Sequence, residues 1–410
     1  VLSAGLDVAQ RTGMYFTGSE ESIDFNTVEM LYAENVLPIA EGIMSVACRQ
    51  AIASYGAVTD FDQLITLRDA QENNYLFSPG RGKNYLYSEG TGLWSSLSSF
   101  SWAAGKTLVT RAYVNGRTFV CYESDRVIEY NPGGPSFTTI ALTLPGGYAM
   151  SDIRGIAGAS NYLLLFTNTE ILWCSLLDIT NFSDPIGKAG KQTTIDLKGQ
   201  ITCIVPISGG VIVYTNRNAV AGFFTNNADT PFSFREVQNS GGVAGYEQVT
   251  SDANQAAHYT YGTSGIQRLT LQLAETVLPD CADFLASRMY EYWDATNKIV
   301  QETLLTGTLE VKLQFLGNRY LTISYGKISN QFTFALFYDE VLKRWGKVRV
   351  NHVDVSTLPS TVINAQPMLI QDLSGQIQSY TQLINALIST FGVVTPSRTG
   401  FCFLQQDGTV

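Results

Sequence analysis

Residues 317–350 read GNRYLTISYGKISNQFTFALFYDEVLKRWGKVRV. Leu321, Ile323 and Tyr325 alternate with Tyr320, Thr322 and Ser324. Phe332, Phe334, Leu336 and Tyr338 alternate with Thr333, Ala335 and Phe337. A period of two is the signature of sheet, because successive side chains of a strand leave on opposite faces. Gly326-Lys327 with Ser329-Asn330 reads as a first break, residues 339–344 as a second, and Trp345 opens a last short strand to Val350. Three or four antiparallel strands within about forty residues match one blade of a β-propeller.

The unit recurs. Working outward, strands are predicted around Ile65, 75–77 and 84–87; over 107–114, 117–121 and 126–130; and over 162–166 and 170–175 after an opening Asp152-Ile153-Arg154-Gly155. They continue over 201–207, 211–215 and 219–224, then 246–250, 258–261 and 265–271. Asn115-Gly116 is a strong hairpin signal, because both central residues of that turn need positive φ. The first five units start about 45 residues apart, the period of four-stranded blades. The expected fold is all-β, a propeller of about six blades over 60–380, with an irregular N-terminal arm over 1–59. The arm is expected to carry a short helix over 27–34, with breaks at Pro38 and Gly42, and to pack on the propeller or a neighbour.

The period breaks after residue 271. PDCADFLASRMYEYWDATN, residues 279–297, predicts an inserted helix near 278–298, with Asp280 as N-cap and Phe284, Leu285, Met289, Tyr292 and Trp293 on one face. It is read as packing on the propeller, with a partner surface as the alternative. Residues 366–369 with 375–380 read as a seventh unit or as closing an earlier blade, and 377–391 also fits an amphipathic helix. In the C-terminal segment, 381–410, the turn at 407–410 implies a strand partner from elsewhere or a chain that continues. The start on Val1 reads as processing or trimming.

Composition agrees with an all-β chain. Of 410 residues, 45% are hydrophobic, 11% aromatic and only 15% charged, with 36 glycines. The net charge of −10 argues against gripping nucleic acid, which needs clustered Lys and Arg. No apolar run reaches the ~18 residues of a membrane-spanning helix, and the start does not read as a signal peptide.

Chemistry is hard to find. The six cysteines, at 48, 121, 174, 203, 281 and 402, show no zinc-like spacing and read as buried free thiols. His258 and His352 are the only histidines and lack metal-site company. No GxSxG occurs. Residues 187–193, GKAGKQT, invite a phosphate-loop reading that fails, since Gln192 stands where Ser or Thr belongs; an exposed loop between blades is expected. A carboxylate pair suited to a glycosidase is neither marked nor excluded. Asn181-Phe182-Ser183 matches a glycosylation sequon and is expected to carry no sugar. No catalytic, cofactor-binding or metal-binding residue is assigned, and no cofactor is expected. The tightest basic cluster, Lys343, Arg344, Lys347 and Arg349, reads as a solvated rim at strand ends, or as a patch contacting an acidic partner or DNA phosphate.

Residues 335–354, ALFYDEVLKRWGKVRVNHVD, resemble the tyrosine-aspartate, loop, tryptophan blade of the tail hub or nozzle proteins of short-tailed bacteriophages (podoviruses), also called packaged-DNA stabilisation proteins. Residues 151–185, which end in an Asp-Pro turn, resemble another blade of that family. Residues 209–224 with 231–243 resemble the next blade, and 26–46 its N-terminal segment. The resemblance covers roughly 25–355, and the order of the motifs carries it. It implies a non-enzymatic virion protein of the tail, six copies forming a ring below the portal and its adaptor. That ring would retain packaged DNA and provide the ejection channel, beside tail fibre, spike or needle proteins. The genome would pass without sequence-specific contact, and acidic side chains lining the lumen would keep phosphate from sticking. The alternative is a glycan-binding or glycan-cleaving propeller. A cellular interaction scaffold is a third reading and lacks WD dipeptides.

Overall fold

In the computed structural model, residues 108–358 and 400–405 are described apart from 134–135, 194–196, 226, 288, 295–298, 305–309 and 329; between 36 and 97 the description covers strands and residues 61, 63 and 64. Six four-stranded antiparallel sheets follow one another along the chain, each a simple meander from first strand to fourth. Blade one is Ile65–Arg68, Asn74–Pro79, Asn84–Ser88 and Leu93–Leu97. Blade two is Val109–Val114, Arg117–Tyr122, Arg126–Asn131 and Ser136–Ile140. Blade three is Gly155–Ala159, Tyr162–Phe166, Glu170–Trp173 and Gly190–Thr193. Blade four is Ile201–Ile207, Gly210–Thr215, Ala219–Phe224 and Phe232–Glu236. Blade five is Val249–Ser251, His258–Gly262, Gly265–Leu269 and Ala274–Thr276. Blade six is Lys312–Leu316, Tyr320–Ile328, Gln331–Asp339 and Arg344–His352. The chain is a β-propeller.

Alternation explains the stacking. Val211 and Val213 face a core shared by blades two, three and four, whereas Ile212 and Tyr214, one residue along, face a core shared by blades four and five. Phe119 and Cys121 likewise look toward blade three, and Val120 and Tyr122 toward blade one. A blade buried on both faces needs near-continuous apolar strands, and burying each such side chain contributes about 1.5–3 kcal/mol. The first strands lie innermost and side by side, Val109–Val114 against Gly155–Ala159 and the latter against Ile201–Ile207. Gly158 permits that approach: a Cβ there would sit 2.4 Å from the Tyr113 carbonyl oxygen.

The ring is closed by a seventh, two-stranded sheet. Asp354–Leu358 pairs antiparallel with Gly400–Leu404. Val355 and Phe403 pack on blade six, while Val353 and Leu404 pack on Phe61, Leu64 and Leu76 of blade one. The C-terminal strand therefore returns to the ring, which the sequence reading did not place. The expected strands at 366–369 and 375–380, and the amphipathic stretch 377–391, lie outside the described residues.

Four further expectations are corrected. The helix is shorter than predicted, Pro279–Ser287, with Asp280 inside its first turn rather than capping it. Met289, Tyr292 and Trp293 belong instead to a strand, Met289–Asp294, paired with Ile299–Leu304. The alternation MYEYWD and its aromatic content favour strand over helix there. In the arm, Val36–Ile39 and Gly42–Ser45 form a hairpin beside the outer strand of blade six, with Pro38 inside a strand; the expected helix at 27–34 lies outside the described residues. Gly326 is not a strand end: the second strand of blade six runs through it, with φ 71. Residues 246–248 form a 3-10 turn before blade five rather than its first strand.

Candidate functional site

All inner strands begin on one face, here the opening face. There the turn between strands two and three of one blade bonds to the segment leading into the next: Ser124 N to Ile153 O, Ile201 N to Asn168 O and Val243 N to Thr215 O. Charged residues from four places around the ring meet at the axis just below this face. Asp354 is 3% exposed and opens the seventh sheet. Its carboxylate accepts the Leu64 N–H at 2.6 Å, the Gln314 Nε2–H at 2.5 Å and the Val355 N–H at 2.9 Å. Lys312 Nζ, 5% exposed, lies 3.1 Å from Asp354 and 3.4 Å from Glu247. Arg111, from blade two, is exposed and faces Tyr246 and Asp354. Tyr246 above all, and also Asp354, hold its pKa above the ordinary value against the opposing pull of burial. A carboxylate offers about four acceptor positions. Three N–H donors and an ammonium fill those of Asp354, so its chemistry is that of a tie between blades six and one.

The second feature on the opening face is a polar cleft of about 630 Å³ between blades two and three. Glu123, Ser124, Gly147, Tyr148, Ser151, Asp152, Arg154, Thr167, Asn168 and Thr169 line it. Arg154 crosses the junction, its Nε donating to Glu123 Oε1 at 3.1 Å and its Nη1 to Asn168 Oδ1 at 3.1 Å. Thr167 fixes the turn beneath, its hydroxyl oxygen accepting the N–H groups of Thr169 and Glu170. The same device builds the next blade, where Thr215 Oγ1 accepts from Arg217 and Asn218. Asp178 and Asp184, both in the connection 174–189, are held below the usual carboxylate range, chiefly by backbone N–H groups of Thr180 and Gly187.

The basic cluster is a solvated rim only in part: Lys343 and Arg349 are exposed and Arg344 is half-buried, whereas Lys347 is not at the surface. Lys347 is 2% exposed, in the middle of the outer strand of blade six, with its ammonium 4.8 Å from the Phe334 ring centroid. Arg349 is exposed and lies 5.8 Å from the same centroid. Lys343, with φ 54, sits in the turn on the opposite face, and Arg344 starts the strand. Lys347 and Arg349, two residues apart on the strand, share a face and the Phe334 ring, and they differ in burial. The Tyr338-Asp339…Trp345 motif is turn construction. Asp339, fully buried, accepts the Val341 and Leu342 N–H groups and is paired with Arg319, while Tyr338 and Trp345 rings meet at 4.8 Å.

Both histidines are structural. His258 spans blades four and five, bonded to Tyr214 Oη at 2.8 Å and Pro206 O at 3.0 Å. His352 bonds to Val350 O and Ser324 Oγ. Burial pushes each down to about 4. Cys121, Cys174, Cys203 and Cys281 are buried free thiols, as expected. Residues 187–193 are not simply a loop: Gly190–Thr193 is the outer strand of blade three. Among the described residues no group of three or more His, Cys, Asp or Glu is arranged to hold a metal ion.

Sequence reading missed Arg111, Tyr246, Glu247, Lys312, Gln314 and Asp354. A signal existed: VTRAYV, VKLQFL and HVDVS each place a charge inside an apolar first strand.

No protein-family model matches the chain, and no curated protein matches it. Solved structures match it at low identity and low TM-score. A chain of the mitotic checkpoint complex is 10% identical with a TM-score of 0.41, covering 74% of this chain and 86% of that one. The Swd1 β-propeller domain of Myceliophteria thermophila is 12% identical with a TM-score of 0.39, covering 71% and 83%. BamB of Moraxella catarrhalis is 10% identical with a TM-score of 0.37, covering 79% and 90%.

Proposed function

We propose that this chain is a structural, non-catalytic protein of a bacteriophage tail: a hub or nozzle subunit working in a ring, expected to be of six copies, below the portal and adaptor. The observation that carries the reading is the ordered resemblance of residues 25–355 to that family, centred on the Tyr338-Asp339…Trp345 blade. The geometry supports it in two ways. The propeller axis is crossed by Arg111, Lys312 and Asp354, so a genome channel in this reading lies between copies, with each propeller a rigid block of its wall. Leu177, Ile186 and Val341 are exposed in third-to-fourth strand connections on the face opposite the axial tie, and apolar side chains there suit contact with a neighbouring subunit.

Immunogold labelling of intact particles from a lysate tests the reading. Label once per particle, at the tail vertex, is the expected result. Particles that carry no label would remove the virion role and leave a glycan-active propeller as the working reading.

A further inference from the structure

The cleft between blades two and three carries features that the tail reading does not use. Its volume falls within the roughly 300–1,000 Å³ of small-molecule sites, but its lining is polar. It offers the hydroxyls of Ser124, Ser151, Thr167 and Thr169, the carboxylates of Glu123 and Asp152, the carboxamide of Asn168 and the guanidinium of Arg154. These groups are held before any ligand arrives. Arg154 is clamped from both sides by Glu123 and Asn168, using two of its five N–H donors. The Thr167 oxygen accepts two backbone N–H groups, which leaves its own O–H as a donor. Asp152 Oδ2 accepts the Ala149 N–H at 2.8 Å, fixing that carboxylate at the rim. Ser124 holds φ 56, the left-handed conformation that its tight turn requires.

Charge narrows the ligand. Asp152 repels an anion, and the Arg154 charge is already matched by Glu123, so no strong charge is left to be met. Donors and acceptors are interleaved, so the complementary ligand is neutral and carries many groups that both donate and accept. We propose that this cleft binds a neutral saccharide, with ring hydroxyls bonding to the Glu123–Arg154–Asn168 set and to the hydroxyls and the Asp152 carboxylate that line the cleft with it. Such a site belongs to the single chain and does not depend on the ring or on the virion.

Saturation-transfer NMR and titration calorimetry on the full chain test it, using glucose, galactose, mannose, N-acetylglucosamine, maltose and lactose, with glucuronate and glucosamine as charged comparators. At least one neutral sugar is expected to bind saturably. Thr169→Val, which removes a lining hydroxyl and leaves the Arg154 clamp intact, should weaken it several-fold. Arg154→Ala should weaken it at least tenfold, about 1.4 kcal/mol, while Lys198→Ala, outside the cleft, should not. The proposal is overturned by no saturable binding at about 50 mM sugar, where affinity would be negligible. It is equally overturned by binding that survives both cleft variants, or by tighter binding of a charged comparator than of its neutral counterpart. Failure here leaves the particle-labelling result untouched.

Discussion

The Leu64 N–H donates to Asp354 Oδ2 at 2.6 Å across 290 residues of sequence, joining the first strand region of the ring to the last. The same carboxylate takes Gln314 and Lys312 from blade six, so one side chain ties three consecutive units. Asp354→Ala would take the carboxylate away from the buried Lys312 ammonium and should cost about 3–5 kcal/mol in urea unfolding. Asp354→Asn keeps the shape and some of the hydrogen bonds and should cost less. Combining Asp354→Asn with Lys312→Met should cost less than the sum of the two single changes, because the second removes the stranded charge. Additive losses would show that the pair is not coupled.

Acid should weaken the fold through its histidines. His258 and His352 have pKa values near 4 in the folded chain, against an ordinary value of 6.5. Folded values below the unfolded ones mean that the unfolded chain takes up protons first. Their contribution is fully present above about pH 6.5, shrinks as pH falls and is lost by about pH 4, about 3 kcal/mol for each. Unfolding free energy measured between pH 7 and 4 should fall accordingly, and His258→Gln should flatten part of that slope. A slope unchanged by the substitution would assign the acid sensitivity elsewhere.

Four thiols should be silent. Burial raises Cys174 to about 11 and Cys203 to about 12, and lifts Cys121 and Cys281 further. Iodoacetamide at pH 8 should leave these four unlabelled in the native protein, since the thiolate is the nucleophile. All four should label in guanidinium, read by peptide mass spectrometry.

The basic stretch should split by position. Arg349→Ala, at an exposed site, should change stability by no more than about 0.5 kcal/mol. Lys347→Glu puts a carboxylate against the Phe334 ring in a buried place and should cost several-fold more, about 3 kcal/mol or above. Equal effects of the two would mean that both side chains reach solvent.

Much of the fold was legible because propeller strands carry two local signals at once, a period of two and turn residues at regular spacing. Asn115-Gly116 and the TNTE and TNRN turns of blades three and four are of this kind. Where local signals conflicted, reading failed. Residues 279–294 contain both helical spacing and strand alternation, and the chain uses the first to Ser287 and the second from Met289.

From the sequence alone, composition and periodicity determined an all-β repeat chain, its blade positions and four buried thiols, because those properties rest on neighbours a few residues apart. The tertiary structure decided what joins distant parts: the seventh sheet that closes the ring, the axial tie among Arg111, Lys312 and Asp354, the inward turn of Lys347 and the cleft spanned by Arg154. Ring closure brings the first blade against the last sheet, and no local pattern encodes which charge will then meet which.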